Sequence, residues 1–397
     1  MMRRIVYDPL MPPRKAPTPQ PEIIPTAGPP EAEASARLTI DLSALQANWR
    51  LLGQQALPVD CAAVVKADGY GCGIEQVSAA LTKAGCKTFF VADLSEARRV
   101  RATSPEAVIY VLDGVLPGSG PAFAEVYARP VLGSLVELAE WDRFVASENW
   151  RGGAAIHVDT GMNRLGMSAE EVIALAPRMQ KENHGFTLLM SHLACAETPD
   201  HPLNDRQIRL FREIRVQFRG LPASLANSSG IFLGDSAHCD LVRPGAALYG
   251  VNPTPGRPNP MQPVIGLQGR IIQVRSIAKG GTVGYGAAWT ARRASRIAVV
   301  AVGYADGYPR AASAVNGSSG GQAIVAGQRC PLAGRISMDL LAIDVTDVPE
   351  SAVHRGDYAI LIGDGIGVDD VAAFAGTIGY EVLTRLGRRY HRVYRSV

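Results

Sequence analysis

The sequence predicts an α/β protein, a (β/α)8 TIM-like barrel followed by a C-terminal mostly-β domain. Three observations carry this reading. From Leu38 onward, short apolar runs alternate with amphipathic helical stretches, the pattern of parallel βαβ units. Eight such runs follow one another, at 61–66, 88–92, 108–112, 130–132, 154–159, 187–193, 223–228 and 240–243, and eight is the count that closes a barrel. After about Pro263 glycines become frequent and helical periodicity fades. The β-rich runs there, 267–277, 296–303, 322–326, 340–345 and 357–362, mark a separate β domain. A doubly wound open sheet competes for the first part, since it uses the same alternation.

The elements between the strands support the alternation. Ile74, Val77, Leu81 and Ala84 form one apolar stripe at helical spacing. Ser168 and Glu171 make a capping-box signature that opens another helix. The proline-rich segment 252–263 is the natural linker. The expected domains are therefore 1–36, 37–263 and 264–397. The first is rich in proline and has no apolar periodicity, which suits an extended, polyproline-like arm.

Composition narrows the function classes. A chain of 397 residues with 47% apolar and 19% charged residues is an ordinary globular protein of about two domains. Its formal charge of +3 has no single-sign block, so nucleic acid is not an expected partner. No apolar run reaches the roughly 18 residues of a membrane span. The first residues lack the apolar core of a secretory signal. The six cysteines, at 61, 72, 86, 195, 239 and 330, form no CxxC pair. That suits free thiols in a reducing cytosol rather than a disulfide frame or a metal site, so a cytoplasmic location is expected.

A barrel keeps its chemistry at the C-terminal ends of its strands, and the polar residues fall there. Lys66 ends the first run, His157 and Asp159 the fifth, His192 the sixth, Asn227 and Ser228 the seventh, and Arg243 the eighth. Arg164 lies just beyond the fifth. Any one of these is ordinarily a solvated charge or a packing residue. Five strand ends converging on one rim is a different matter. Lys66 is either a phosphate clamp or a nucleophile for a carbonyl. Asn227-Ser228-Ser229-Gly230 and Arg243-Pro244-Gly245-Ala246 suit a phosphate cradle after strands seven and eight. An amine facing such a cradle suggests pyridoxal 5'-phosphate (PLP), which needs both anchors. Gly69-Tyr70-Gly71-Cys72-Gly73 does not have dinucleotide-fingerprint spacing.

These residues closely resemble the alanine racemases, the barrel-type (fold type III) PLP enzymes. Val64-Val65-Lys66-Ala67-Asp68-Gly69-Tyr70-Gly71 looks like their cofactor-lysine signature. The resemblance continues through Asp159-Thr160-Gly161-Met162-Asn163-Arg164-Leu165-Gly166, Ser191-His192-Leu193-Ala194, Asn227-Ser228 and Val242-Arg243-Pro244-Gly245-Ala246-Ala247-Leu248-Tyr249-Gly250. In the β domain it includes Val283-Gly284-Tyr285-Gly286, Gly303-Tyr304-Ala305-Asp306-Gly307 and Gly334-Arg335-Ile336-Ser337-Met338-Asp339. It covers about 37–397, in the family's order.

The resemblance implies racemisation of L-alanine to D-alanine, for peptidoglycan, by a homodimer with composite active sites. Lys66 would carry PLP as a Schiff base. Tyr70, Ser228 and the backbone around Gly245 and Ala246 would hold its phosphate beside Asn227. Arg243 would face the pyridine nitrogen and His192 would support it. Arg164 would bind near the substrate carboxylate. Tyr285, with Met338 nearby, would come from the other subunit as the second base. Two bases are chemically required, because the α-proton leaves one face and returns on the other. A tyrosine can serve only if cations or hydrogen bonds lower its pKa from about 10.

Two positions depart from the family pattern. A lysine, carbamylated to position the active-site arginine, often stands where this chain has His157. A neutral hydrogen bond or a bound anion is then expected to orient Arg164. Near the C-terminus, Arg388 occupies the place of a tyrosine that reaches the phosphate, which leaves open whether Arg388 or nearby Tyr390 acts there or is merely solvated at the surface. Three alternatives remain: a racemase for several small amino acids, a non-catalytic PLP-carrier barrel, and a barrel-type decarboxylase. The second class lacks a β domain. The third places an acid, not Arg243, at the pyridine nitrogen.

Overall fold

Seven short strands pair in parallel in sequence order. They are Ala63–Val64, Thr88–Val91, Val108–Val111, Ala128–Leu132, Ala154–His157, Phe186–Met190 and Ala223–Ser224. An eighth, Leu241–Val242, pairs in parallel with Asp60–Cys61. Backbone bonds close the ring on both sides of it: Ala62 N to Val242 O and Val64 N to Pro244 O, both 2.9 Å, and Arg243 N to Ala226 O, 2.9 Å. The expected barrel is thus present in this computed structural model, which describes residues 28–181 and 184–396. Most of the proline-rich arm, residues 1–27, lies outside the described residues.

The strands form where the apolar runs are, because both sides of a barrel strand are covered. Phe89, Phe90, Ile109, Ile156 and Leu189 are fully buried, each contributing about 2–3 kcal/mol of transfer free energy as an upper estimate. The helices lie outside. Ile74, Val77 and Leu81 face inward from the helix Ile74–Ala84. Asp93, Ser134 and Ser168 cap the helices Leu94–Thr103, Leu135–Glu148 and Ala169–Ala174. At the last of these the expected capping box is present, Ser168 and Glu171 each accepting the other's backbone N–H.

The strands end earlier than the apolar runs suggest. The runs 61–66, 223–228 and 240–243 contain regular strand only at Asp60–Cys61, Ala63–Val64, Ala223–Ser224 and Leu241–Val242. Beyond those points the backbone peels away into the turns that carry the polar residues.

The five expected β runs are found at Ile265–Ile277, Ser295–Val300, Gln322–Val325, Leu341–Asp344 and Tyr358–Ile362. They belong to an eight-stranded sheet that also takes in Gln328–Pro331, Ala36–Asp41 and His391–Arg395. Ala36–Asp41, at the junction of the arm and the stretch assigned to the barrel, lies antiparallel to Ile265–Ile277 and parallel to His391–Arg395. Its Ala36, Leu38 and Ile40 alternate into the core. Among the described residues, no helix is long and apolar enough to cross a membrane.

Candidate active site

Lys66 follows buried Val65, one residue past the strand Ala63–Val64, and begins a turn of the wrong hand. Ala67, Asp68, Gly69, Tyr70 and Gly71 have φ of 55°, 56°, 63°, 51° and 77°. A run of left-handed residues costs roughly 1–2 kcal/mol at each non-glycine position. It still makes helical bonds, Gly69 N to Val65 O at 2.9 Å and Gly71 N to Ala67 O at 2.8 Å. The turn projects both Lys66 and Tyr70 into a cavity of about 720 Å³ at the C-terminal rim.

That cavity gathers most of the residues picked out from the sequence. Arg164, His192, Asn227 and Arg243 line it together with Lys66 and Tyr70, as does His157. Ser228, Gly245 and Ala246 form another part of its wall. Tyr285 and Met338 do not line it. They lie in the C-terminal region, 71% and 53% exposed.

The wall at Ser228 has the shape of an anion cradle. Ser228 Oγ accepts the N–H groups of Gly245 at 2.9 Å and Ala247 at 3.3 Å, leaving its own proton free to donate. A Cβ at Gly245 would stand 2.4 Å from the Tyr70 hydroxyl, so only glycine lets that hydroxyl approach the backbone. Ser229 Oγ is buried and has no hydrogen-bond partner among the described residues, but Ser229 is not among the residues that line the cavity. Asn227 shapes the turn, its Oδ1 accepting the N–H of Gly230 at 2.9 Å. Tyr70 is itself fixed by stacking on Tyr249, centroids 4.7 Å apart.

Arg243 is buried with its guanidinium committed to the barrel. It donates to Ser191 O at 2.6 Å and to Ser224 Oγ, and lies 5.6 Å from the centre of the Phe90 ring. Burial pushes its pKa down to about 10, so it stays cationic at neutral pH. No ion pair to Arg243 occurs among the described residues. Burial, then Arg243 and Arg164, press His192 down to about 3. His157 falls to about 4, through burial and then Arg243. Both imidazoles are therefore neutral. Burial and then the Arg164 charge also lower the Lys66 amine, partly offset by Asp113 and Glu96. An amine held below its usual range is a better nucleophile at neutral pH.

Arg164 rides on a loop knotted by Asp159, whose carboxylate accepts the N–H groups of Gly161 at 2.9 Å, Met162 at 3.0 Å and Asn163 at 3.0 Å. Asp159 is thus a loop former. The Arg164 guanidinium has no hydrogen-bond or ion-pair partner among the described residues.

At the C-terminal departure, Arg388 is placed as a solvated surface charge, and Tyr390 is buried with an unpartnered hydroxyl. Neither lines the cavity. Tyr380, from the helix Gly379–Thr384, does so instead, its ring 6.4 Å from that of Tyr70. Sequence reasoning missed Tyr380 and also buried Gln207. The latter accepts Ala194 N at 2.9 Å and donates to His192 O at 2.8 Å and Thr160 Oγ1 at 3.1 Å. Gln207 ties the His192 loop to the Asp159 loop, and nothing in its sequence context signals this.

A closed barrel with its polar cluster at the C-terminal rim and a β-rich second half defines the class of protein. Residues 40–253 match the family model described as alanine racemase, N-terminal domain, and 264–394 match the alanine racemase C-terminal domain. An alanine racemase of Methylobacterium sp. (strain 4-46) is 55% identical over 359 residues, 90% of this chain and 97% of that protein. A biosynthetic alanine racemase of Agrobacterium fabrum is 45% identical, over 91% of this chain and 94% of that protein. Among solved structures, the alanine racemase of Bartonella henselae with covalently bound pyridoxal phosphate superposes with a TM-score of 0.85 at 38% identity, covering 91% of this chain and 100% of that one. The biosynthetic alanine racemase of Pseudomonas aeruginosa gives 0.84 at 35%, with the same coverage. The chain belongs to the alanine racemase family and is an isomerase.

Proposed function

We propose that this chain racemises L-alanine to D-alanine with PLP held on Lys66, as a cytoplasmic homodimer that supplies D-alanine for peptidoglycan. When bound, PLP supplies an electron sink that acidifies the α-proton of the amino acid attached to it. The chain's own residues do the rest. Lys66 Nζ, lowered by burial and Arg164, anchors the cofactor and then moves a proton on one face of the substrate. Ser228, the Gly245 and Ala246 backbone and the Tyr70 hydroxyl hold the phosphate. The bonds of Ser228 Oγ to the Gly245 and Ala247 backbone and the close approach of Tyr70 to Gly245 support that fit. Arg164 pairs with the substrate carboxylate, its guanidinium otherwise unengaged.

Arg243, which lines the cavity, would face the ring nitrogen of the bound cofactor. A guanidinium cannot accept a proton there, so the ring would stay unprotonated and racemisation would be favoured over side reactions. His192 packs alongside as a neutral imidazole. The expected hydrogen bond from neutral His157 to Arg164 is not made among the described residues, so an anion bound between these two cavity-lining side chains would orient Arg164 in place of a carbamylated lysine.

The observation that carries the two-base reading is the position of Tyr285. It is 71% exposed and outside the cavity of its own chain, while Met338 is exposed in the same domain. A large aromatic side chain left in water is a candidate for insertion into a second copy, and a C2 dimer would deliver each Tyr285 to its neighbour's cavity. Tyr285→Phe tests this. It removes the proton carrier on one face, so racemisation from either enantiomer should fall at least about a hundredfold with PLP still bound. Undiminished racemisation from both enantiomers would defeat the assignment.

A further inference from the structure

Three barrel helices open on the same device, a capping residue followed by a glutamate at the third helical position: Asp93 with Glu96, Ser134 with Glu137, and Ser168 with Glu171. Glu171 does the ordinary thing and returns to Ser168 N at 2.8 Å. Glu96 and Glu137 reach further. Glu137 accepts Gly133 N at 2.8 Å with one oxygen and Val115 N at 3.2 Å with the other. Glu96 accepts Ala92 N at 2.9 Å and Asp68 N at 3.1 Å. Each of these two carboxylates therefore ties its own strand end to the loop that follows the preceding strand. Only Glu96 reaches the loop that carries Lys66 and Tyr70.

The left-handed turn needs such a clamp. Its first N–H groups, at Ala67 and Asp68, have no partner within the turn, as at the start of any helix, and the backbone at Ala67, Asp68 and Tyr70 is strained. Glu96 is 8% exposed, so its bonds form away from competing water. The far side of the turn is held from the C-terminal strand, with Arg392 donating to Gly71 O at 2.7 Å and the Tyr394 hydroxyl to Cys72 O at 3.0 Å. Arg99 holds the Asp68 side chain at 2.5 Å. The Glu96 clamp is the one that meets the backbone next to the amine.

We propose that Glu96 is a positioning residue, whose carboxylate fixes the left-handed turn in the conformation that presents Lys66 and the Tyr70 hydroxyl to the cavity. The proposal rests on the reading of Lys66 as the cofactor lysine. Glu96→Gln keeps the shape but turns one of the two accepting oxygens into a donor, so one backbone N–H loses its partner. Glu137→Gln makes the same change at the equivalent place two strands on, where the clamped loop carries Leu112 and Asp113 at the cavity wall but not Lys66 itself.

The experiment compares the wild type, E96Q and E137Q as full chains. It measures the unfolding temperature of each apoprotein, PLP affinity by titration, kcat and KM for alanine, and the fraction of PLP trapped on Lys66 by borohydride, read by peptide mass. Both variants should lose similar thermal stability. E96Q alone should bind PLP about tenfold more weakly or worse, trap less of it on Lys66 and lose kcat more than KM changes. Wild-type affinity and kcat in E96Q, or equal losses in E137Q, would overturn the proposal. If E96Q gives no soluble protein, Glu96→Asp, too short to span both N–H groups, carries the same test with the same two outcomes. PLP trapped in the wild type on a residue other than Lys66 would instead overturn the cofactor assignment on which the proposal rests.

Discussion

At the scale of single residues, the cavity is defined by which groups are allowed to carry charge. His192 and His157 are pressed down to about 3 and about 4 by burial and by cations, below the usual value near 6.5. The unfolded chain therefore binds protons that the folded chain refuses. Stability contributed by the neutral imidazoles is present above about 6.5 and is lost as pH falls toward the folded values. His192→Asn in the apoprotein should flatten this dependence by about 2 kcal/mol between about pH 7 and pH 5, checked by denaturant unfolding at both pH values. An unchanged slope would mean that His192 is free to protonate in the folded chain. His157 makes a separate prediction. It has no ε-amine to carbamylate, so stripping bicarbonate and carbon dioxide from the assay should leave kcat unchanged, and a loss restored by bicarbonate would contradict that account.

At the scale of elements, the left-handed turn after Lys66 is the costly one. Ala67 has φ of 55°, where glycine is at ease and alanine is not. Ala67→Gly should therefore stabilise the apoprotein, or leave it unchanged, against the usual loss of about 1 kcal/mol when glycine replaces alanine in a right-handed helix. A drop in unfolding temperature would show that the turn is not strained at that point.

What could be read in advance also divides at this scale. The barrel strands announce themselves, because runs such as Thr88–Val91 and Val108–Val111 are apolar on both faces. His391–Arg395 does not, since His-Arg-Val-Tyr-Arg shows no alternation. Its pairing with Ala36–Asp41 arises only after the chain has folded back on itself. Lys66, Arg243 and Ser228 were legible because strand ends concentrate polar residues at one rim. Glu96 and Gln207 were not. Their partners lie at 68 and 92, and at 160, 192 and 194, and Leu94-Ser95-Glu96-Ala97 reads as nothing more than a helix start. Tyr380 was hidden for a similar reason, on a short helix of a part of the chain that reads as all-β.

At the scale of the whole molecule, the chain's two halves contribute unequally to its own cavity. The barrel supplies the amine, the cradle and the cations, and the C-terminal half adds Tyr380 at the rim. The second half keeps Tyr285 and Met338 exposed, along with Tyr304 and Leu340. Large apolar side chains left exposed in this way are what the proposed second copy would cover. The central claim is that a working site takes Lys66 from one chain and Tyr285 from another. Mixing the two inactive variants Lys66→Ala and Tyr285→Phe, under conditions where subunits exchange, tests it most directly. Random pairing gives mixed dimers with one intact site and one doubly defective site, so about a quarter of wild-type activity should return. If mixed dimers form and activity does not return, both residues belong to the same chain's site or Tyr285 is not a base, and the composite active site is wrong.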